Sequence, residues 1–334
     1  MYVRRGGPAW FARNDMHLPD GFLDAKTALL STGVAAGGVG LALRQVRRTL
    51  EPRRTPLLGL AAAFVFAAQT LNFPIAGGTS GHIVGGVLTA VLLGPSAAVL
   101  VMTCVLIVQC LMFADGGLTA LGANVFNMAI VSTCGGYFAF RVLKGLMRMD
   151  PRRATVFAAA FAGWFGTVVA SVCCAGQLAL SGTVSWALAF PAMANVHMLI
   201  GLVEGLATGL VVLTVLRVRP TLVASDAGTA GSSGLVGYGL VLSVGLALFV
   251  GPFACPWPDG LEAVAQRLGF EHRASPAVTA PLADYRLPWV GSATVATAIA
   301  GLIGTLLAFI AAYLLARTLV PVFGAPKKDA PPVH

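Results

Sequence analysis

Charged side chains are scarce. Asp, Glu, Lys and Arg make up 10% of the 334 residues while 57% are hydrophobic, and mean hydropathy is +0.83. A soluble domain carries about 25% charged residues, so a water-exposed globule is excluded. A disordered chain needs the opposite composition and is excluded too. The scarcity is also uneven. Residues 57–140 hold one charged side chain, Asp115, residues 154–216 hold one, Glu204, and residues 287–316 hold none. Charge is costly at bilayer depth and a helical span needs about 20 apolar residues, so these stretches read as membrane spans. Cysteine is sparse as well: of the six, five lie inside hydrophobic segments and no C-x-x-C pair occurs, which leaves neither a disulfide framework nor a thiolate metal site. No G-x-x-x-x-G-K-[ST] phosphate loop is present.

What remains divides into nine hydrophobic segments: 24–43, 57–74, 82–93, 97–114, 121–143, 154–178, 191–216, 235–253 and 292–318. The third, closed by Gly94-Pro95, is too short to span alone and predicts a short or broken helix, which membranes tolerate where it lines a cavity. The pattern predicts an all-α polytopic membrane protein, a seven-helix substrate-binding bundle followed by a two-helix transmembrane hairpin. A small, polar linker at 220–234 separates the two. The formal charge of +9 suggests a polyanionic partner until its positions are read. Arg44, Arg47, Arg48, Arg53 and Arg54, then Arg141, Lys144, Arg148, Arg152 and Arg153, then Arg217 and Arg219, then Arg317, Lys327 and Lys328 account for 15 of 22 cations. With nine crossings all four groups fall on one side, which the positive-inside rule makes cytoplasmic. The expectation is a multi-pass protein of the cell (inner) membrane with its N-terminus outside and its C-terminus in the cytoplasm, and no nucleic-acid partner.

A chain this apolar marks its site by the polar groups it keeps. His17 precedes the first span and His82 opens the third segment, both on the outer side; His197 lies in the seventh span. Neutral imidazole is a common ligand for late transition metals. Gln69, Asn72, Gln109, Asn124 and Asn127 are intramembrane amides, suited either to orienting imidazoles or to bonding helices together. On the first span Gly33, Gly37 and Gly38, and Ala36 and Gly40, give small-residue spacing that lets another helix approach, within the chain or from a partner.

Several of these segments carry a resemblance. Met16-His17-Leu18-Pro19-Asp20-Gly21, Asn72-Phe73-Pro74, Gly78-Thr79-Ser80-Gly81-His82, Phe113-Ala114-Asp115-Gly116-Gly117 and Asn124-Val125-Phe126-Asn127 resemble the CbiM/NikM family, the substrate-binding membrane components of cobalt and nickel energy-coupling factor (ECF) transporters. Pro191-Ala192-Met193-Ala194 with His197 matches late in that domain. Pro258-Asp259-Gly260-Leu261-Glu262 and Ala283-Asp284-Tyr285 resemble the companion CbiN/NikN-type subunit, so the chain is similar to a fusion of the two. The domains so implied are an extension at 1–15, a metal-binding membrane domain at 16–219, the linker, a two-helix domain with an extracytoplasmic PDGLE loop at 235–320, and a cytoplasmic tail at 321–334.

The resemblance implies capture of Ni2+ or Co2+ as cargo, with no tightly bound cofactor and no enzymatic activity. It implies a ligand set of the Met16 amine, the His17 amide and imidazole, and the His82 imidazole, with Asn72, Ser80 and Asn124 behind them. It also implies partners: a CbiQ/NikQ-like transmembrane coupling protein and a CbiO/NikO-like cytoplasmic ATPase. All-nitrogen ligation suits late transition metals better than hard cations. A free Met16 amine requires that the chain start there, so translation from Met16 is expected. Two other readings remain. Gly78-Thr79-Ser80-Gly81 fits the G-x-S-G of rhomboid intramembrane serine proteases with His197 as base, and Asp115 and Glu204 are the carboxylates that an ion-coupled secondary carrier would use.

Overall fold

The structure, a computed structural model, describes residues 17–219 and 232–319. Met16 and the residues before it, 220–231 within the expected linker, and the tail from 320 with Lys327 and Lys328 lie outside the described residues.

The charge-poor stretches are mostly helical. In chain order the helices are α1 (Ala25–Thr49), α2 (Thr55–Gln69), α3 (Gly86–Leu93), α4 (Pro95–Phe113), α5 (Leu121–Leu146), α6 (Pro151–Leu180), α7 (Trp186–Val218), α8 (Gly234–Phe253), α9 (Gly260–Leu268) and α10 (Ala293–Leu319). Seven of these, α1, α4 to α8 and α10, are long and apolar enough to cross a membrane. The chain is an all-α polytopic membrane protein. Capping sets several helix starts. Asp24 accepts from Thr27 N at 3.0 Å, and Asp150, ahead of Pro151, accepts from Arg152 N and Arg153 N at 3.1 Å.

As expected, the third segment is a short helix. The eight residues of α3 rise about 12 Å, less than half of a hydrocarbon core of about 30 Å. Its first turn sits at mid-depth, where Val87 packs against Gly136 near the middle of α5 and Gly166 near the middle of α6. Gly94 (φ +87) and Pro95 then turn the chain into α4. Ahead of α3 lies a two-stranded hairpin, β1 (Phe73–Ile75) and β2 (Thr79–Gly81), antiparallel with Pro74 opposite Ser80. Residues 82–85 descend from it into the bundle without regular structure.

Two helix contacts depend on glycine. Gly205 of α7 lies against the backbone of Ala160 on α6, and Gly304 of α10 lies against Phe66 and Phe113; a Cβ at either would collide. The second contact brings α10 of the hairpin domain onto the buried core around α2 and α4, where Phe66, Leu100, Met102, Leu106 and Phe113 meet. Helix α8 begins inside the stretch expected to be linker. The loop between α8 and α10, expected as a long polar stretch, contains amphipathic α9, whose Leu261, Val264 and Ala265 pack with Leu18, Phe22 and Phe270. Because the helices alternate in direction, the described arginine clusters at 44–54, 141–153 and 217–219 and Arg317 lie at one end, while residues 17–23, the β-hairpin and α9 lie at the other.

Candidate functional site

His17 and His82 come together. Their ring centroids are 5.6 Å apart in an edge-on arrangement, and His17 is 3% exposed. Four separate pieces of chain hold them there. The segment at residues 17–20 is clamped by Asn124 of α5, which accepts from Leu18 N and donates to Leu18 O, each at 3.0 Å. Gly117 N donates to the same carbonyl at 2.8 Å. Asp20 accepts from Thr119 N at 2.7 Å and from Ala277 N at 2.9 Å, tying the segment both to the bundle and to the hairpin domain. Burial works to raise the Asp20 carboxyl, but these hydrogen bonds outweigh it and hold its pKa below the ordinary value.

Asp115 sits behind His17. Its Oδ1 is 2.8 Å from His17 Nδ1, and its Oδ2 accepts from Tyr285 Oη at 2.7 Å. Burial would raise this carboxyl; the adjacent His17 ring and the hydrogen bonds from His17 and Tyr285 more than reverse that and hold it below the usual carboxylate range. With the carboxylate accepting, the His17 proton is on Nδ1. Sequence reasoning placed Asp115 in a family-like motif and among the carboxylates of a carrier, but not beside His17.

His82 is carried by the irregular stretch before α3. Its Nδ1 is 3.3 Å from Ile83 O, and a carbonyl only accepts, so Nε2 carries the lone pair. Burial, with His17 adding to it, pushes the His82 pKa down to about 4, so the ring is neutral and competent as a ligand at ordinary pH. The backbone beneath it is satisfied by side chains. Glu204 of α7 accepts from Val84 N at 2.7 Å and Gly85 N at 3.0 Å, and Gln69 of α2 donates to Val84 O at 2.8 Å. Gln109 of α4 in turn donates to Gln69 Oε1 at 2.8 Å. Unpaired backbone groups at this depth would be costly, and the Glu204 carboxyl group supplies the two acceptors they need at the N-terminal end of α3. The signal that would have found this role for Glu204 is its solitude as the one charged residue in 154–216.

The two imidazoles line a cavity of about 80 Å³ whose other walls include Asn127, Ser171, Cys174, His197 and Asp259. That is room for an ion and a few waters, not for an organic substrate. The hairpin domain closes it. Ser80 Oγ donates to Trp257 O at 2.7 Å and Ser80 N donates to Pro258 O at 2.8 Å. Gly260 sits against Val196, His197 and Ile200 of α7 with no space for a Cβ. Asp259 caps α9 through Glu262 N at 2.7 Å, and burial pushes its carboxyl up to about 7.

The other expected site residues fall as follows. Ser80 meets the hairpin domain and not an imidazole. His197 Nδ1 is bonded to Met193 O at 2.8 Å, and no hydrogen bond joins Ser80 to His197 among the described residues, so the serine-protease constellation is not assembled. Asn72 lies outside the histidine cavity. Its carbonyl accepts from Cys255 N at 2.8 Å, and it lines a separate pocket with Thr70, Asp284 and Tyr285. Met16 is outside the described residues.

Comparison with known proteins agrees with the sequence resemblance. Residues 17–222 match the CbiM family, described as the cobalt uptake substrate-specific transmembrane region, and residues 233–320 match the PDGLE domain. The chain is 38% identical over 305 residues, 90% of its own length and 98% of the relative's, to a protein of Archaeoglobus fulgidus named as a fused nickel transport protein, NikMN. It is 35% identical over 218 residues, covering 62% of this chain and 66% of the relative, to one of Lactiplantibacillus plantarum named as a fused nickel transport protein, LarMN. A crystal structure of a transition metal transporter superposes with a TM-score of 0.56 at 32% identity, covering 61% of this chain and 93% of that one.

Proposed function

Since the chain belongs to the CbiM family of cobalt-uptake transmembrane proteins and carries a PDGLE domain after it, we propose that it is the ion-capturing component of an ATP-dependent ECF importer for Ni2+ or Co2+. Its relatives are nickel and cobalt transport proteins. The observation that carries the reading is the convergence of His17 and His82, 65 residues apart in sequence, on one small buried cavity.

The ligands are the His17 and His82 imidazoles, the His17 amide nitrogen and the Met16 amine. Consecutive amine, amide and imidazole nitrogens close two chelate rings, and the set suits Ni(II) and related late metals. The ring that includes the His17 amide closes through Nδ1, the nitrogen that faces Asp115. Loading therefore exchanges the Asp115 contact for a metal bond, the imidazole turning about Cβ–Cγ while its proton leaves Nδ1 and Nε2 becomes the protonated nitrogen. Asp115, whose carboxyl is held below its ordinary pKa, supplies negative charge beside the ion without displacing nitrogen from it. Ligation of an amide releases its proton, so capture weakens in acid.

The end bearing His17 and the PDGLE loop faces outward, and the arginine-rich end faces the cytoplasm. The coupling protein docks on α1. Gly33, Gly37 and Gly40 of that helix have nothing within 4 Å of a built Cβ, and Leu29, Leu30 and Leu41 beside them are exposed, whereas Gly38 is used internally against Ile130. A separate cytoplasmic ATPase drives the cycle.

The test is titration of protein whose first residue is Met16 with Ni2+ and with Co2+, beside His82→Ala. One ion per chain is expected for the former, and a loss of affinity of tenfold or more for the variant, in line with removal of a metal ligand. Undiminished affinity in His82→Ala refutes the ligand set.

A further inference from the structure

In the arginine-rich half of the bundle a cleft of about 510 Å³ runs along α3. Four helices line it, with Ala61 of α2, Thr89 and Leu92 of α3, the last turns of α7 with Thr214 and then Arg219, and Tyr238 of α8. The cleft lies between the capture domain and the first helix of the hairpin domain, which the chain joins through residues 220–231.

The lining is apolar in effect as well as in composition. Its two threonines are spent on their own backbone: Thr89 Oγ1 donates to Gly85 O at 2.9 Å and Thr214 Oγ1 donates to Leu210 O at 2.9 Å. Nothing inside offers a hydrogen bond to a polar ligand. The polar features are at the mouth. Arg219 is exposed there and forms no ion pair among the described residues, and Tyr238, 81% exposed, has the amphipathic character favoured at a membrane interface.

We propose that this cleft is a binding site for one phospholipid with an anionic headgroup. An acyl tail lies along α3 and α7, and the headgroup phosphate sits on Arg219 beside Tyr238. Charge complementarity selects the occupant. An apolar slot ending in an exposed guanidinium, without an ion pair among the described residues, matches a tail joined to a headgroup of net negative charge; a zwitterionic headgroup carries its own cation, which offsets the attraction. The lipid fills the gap that the described residues leave between α7 and α8, and so adds to the contact between the two domains. This site is at the opposite end from the histidines and does not depend on which ion is carried.

The experiment is native mass spectrometry and thermal melting of the full chain after delipidation, with phosphatidylglycerol or phosphatidylcholine added back. A photo-crosslinking residue at Leu92 is used in parallel in native membranes. The expected result is one phosphatidylglycerol retained per chain and a raised melting temperature. The preference over phosphatidylcholine should be about fivefold, the effect of one cation beside an anionic headgroup. Arg219→Gln should abolish the preference while keeping tail binding, and Ala61→Phe, which fills the slot, should abolish both. The Leu92 probe should give lipid adducts. Equal retention of both lipids, an unchanged lipid response in Ala61→Phe, crosslinks from Leu92 to the chain's own 220–231 segment, or crosslinks to another protein would each overturn the proposal.

Discussion

Tyr285, in the loop of the hairpin domain, donates its phenolic proton to Asp115, the carboxylate that holds His17, across 170 positions of sequence. The domain fused behind the capture bundle is therefore two hydrogen bonds removed from a proposed metal ligand. Tyr285→Phe removes a bond to a charged group, worth about 1.5–3 kcal/mol when buried. The expected outcome is a lower melting temperature together with weaker Ni2+ binding. The double variant with Asp115→Asn should lose less than the sum of the single losses, since both delete one network. Additive losses would show the two residues to be independent.

Asp115→Asn alone has two opposing consequences. It frees the His17 ring from a contact that loading must break, a gain of about 1.5–3 kcal/mol. It also removes a negative charge near a dication, worth about 5 kcal/mol at a separation of about 6 Å and an effective dielectric constant of about 20. The charge wins. Isothermal titration should find Ni2+ affinity reduced by tenfold or more, and tighter binding would reverse the assignment.

Glu204 anchors the His82 loop from 119 and 120 residues away. Glu204→Ala strands two buried N–H groups at about 1–3 kcal/mol each. Melting should drop well beyond the effect of an exposed helix substitution. Hydrogen exchange at Val84 and Gly85 should rise before that of the surrounding helices. Unchanged exchange there would mean the carboxylate does not hold the loop.

His82 and Asp259 pull the pH dependence of stability in opposite directions. The His82 pKa is 6.5 unfolded and about 4 folded, so the unfolded chain binds the extra proton and stability rises with pH across that window. The Asp259 pKa is 3.8 unfolded and about 7 folded, so the folded chain binds the extra proton and stability falls as pH rises from about 4 to 7. In the wild type the two largely offset. Melts between pH 4.5 and 7 should therefore slope upward in Asp259→Asn and downward in His82→Ala. Asparagine keeps the α9 cap that alanine loses at a cost of about 1 kcal/mol, so Asp259→Asn should melt above Asp259→Ala at every pH.

The long-range order of this protein is legible in its charges and breakers. The gap from 57 to 140 with Asp115 alone, and Gly94-Pro95 closing the third segment, are enough to place α2 to α5 and to shorten α3. His17 and His82 are legible as a pair because alternating spans put both at one end. What surrounds them is not. Tyr285, Asp259 and Glu204 reach the site through contacts more than 100 residues long, and helix patterning carries no record of which loop folds over which. The ligand set that the resemblance implies contains no carboxylate, yet Asp259 borders the cavity itself and Asp115 bonds the His17 ring that lines it. Asn72 is the converse case: its motif lies close to His82 in sequence, yet it faces a different pocket.

The bond from Ser80 to the hairpin domain joins the strand that leads into His82 to the PDGLE loop. Linkage makes that connection symmetrical. Whatever factor docking of the loop contributes to ion affinity, the ion must contribute the same factor to docking of the loop. Where docking of the loop favours the ion, a chain holding the ion is also a chain more tightly closed, and the fused domain then registers occupancy as faithfully as it assists it.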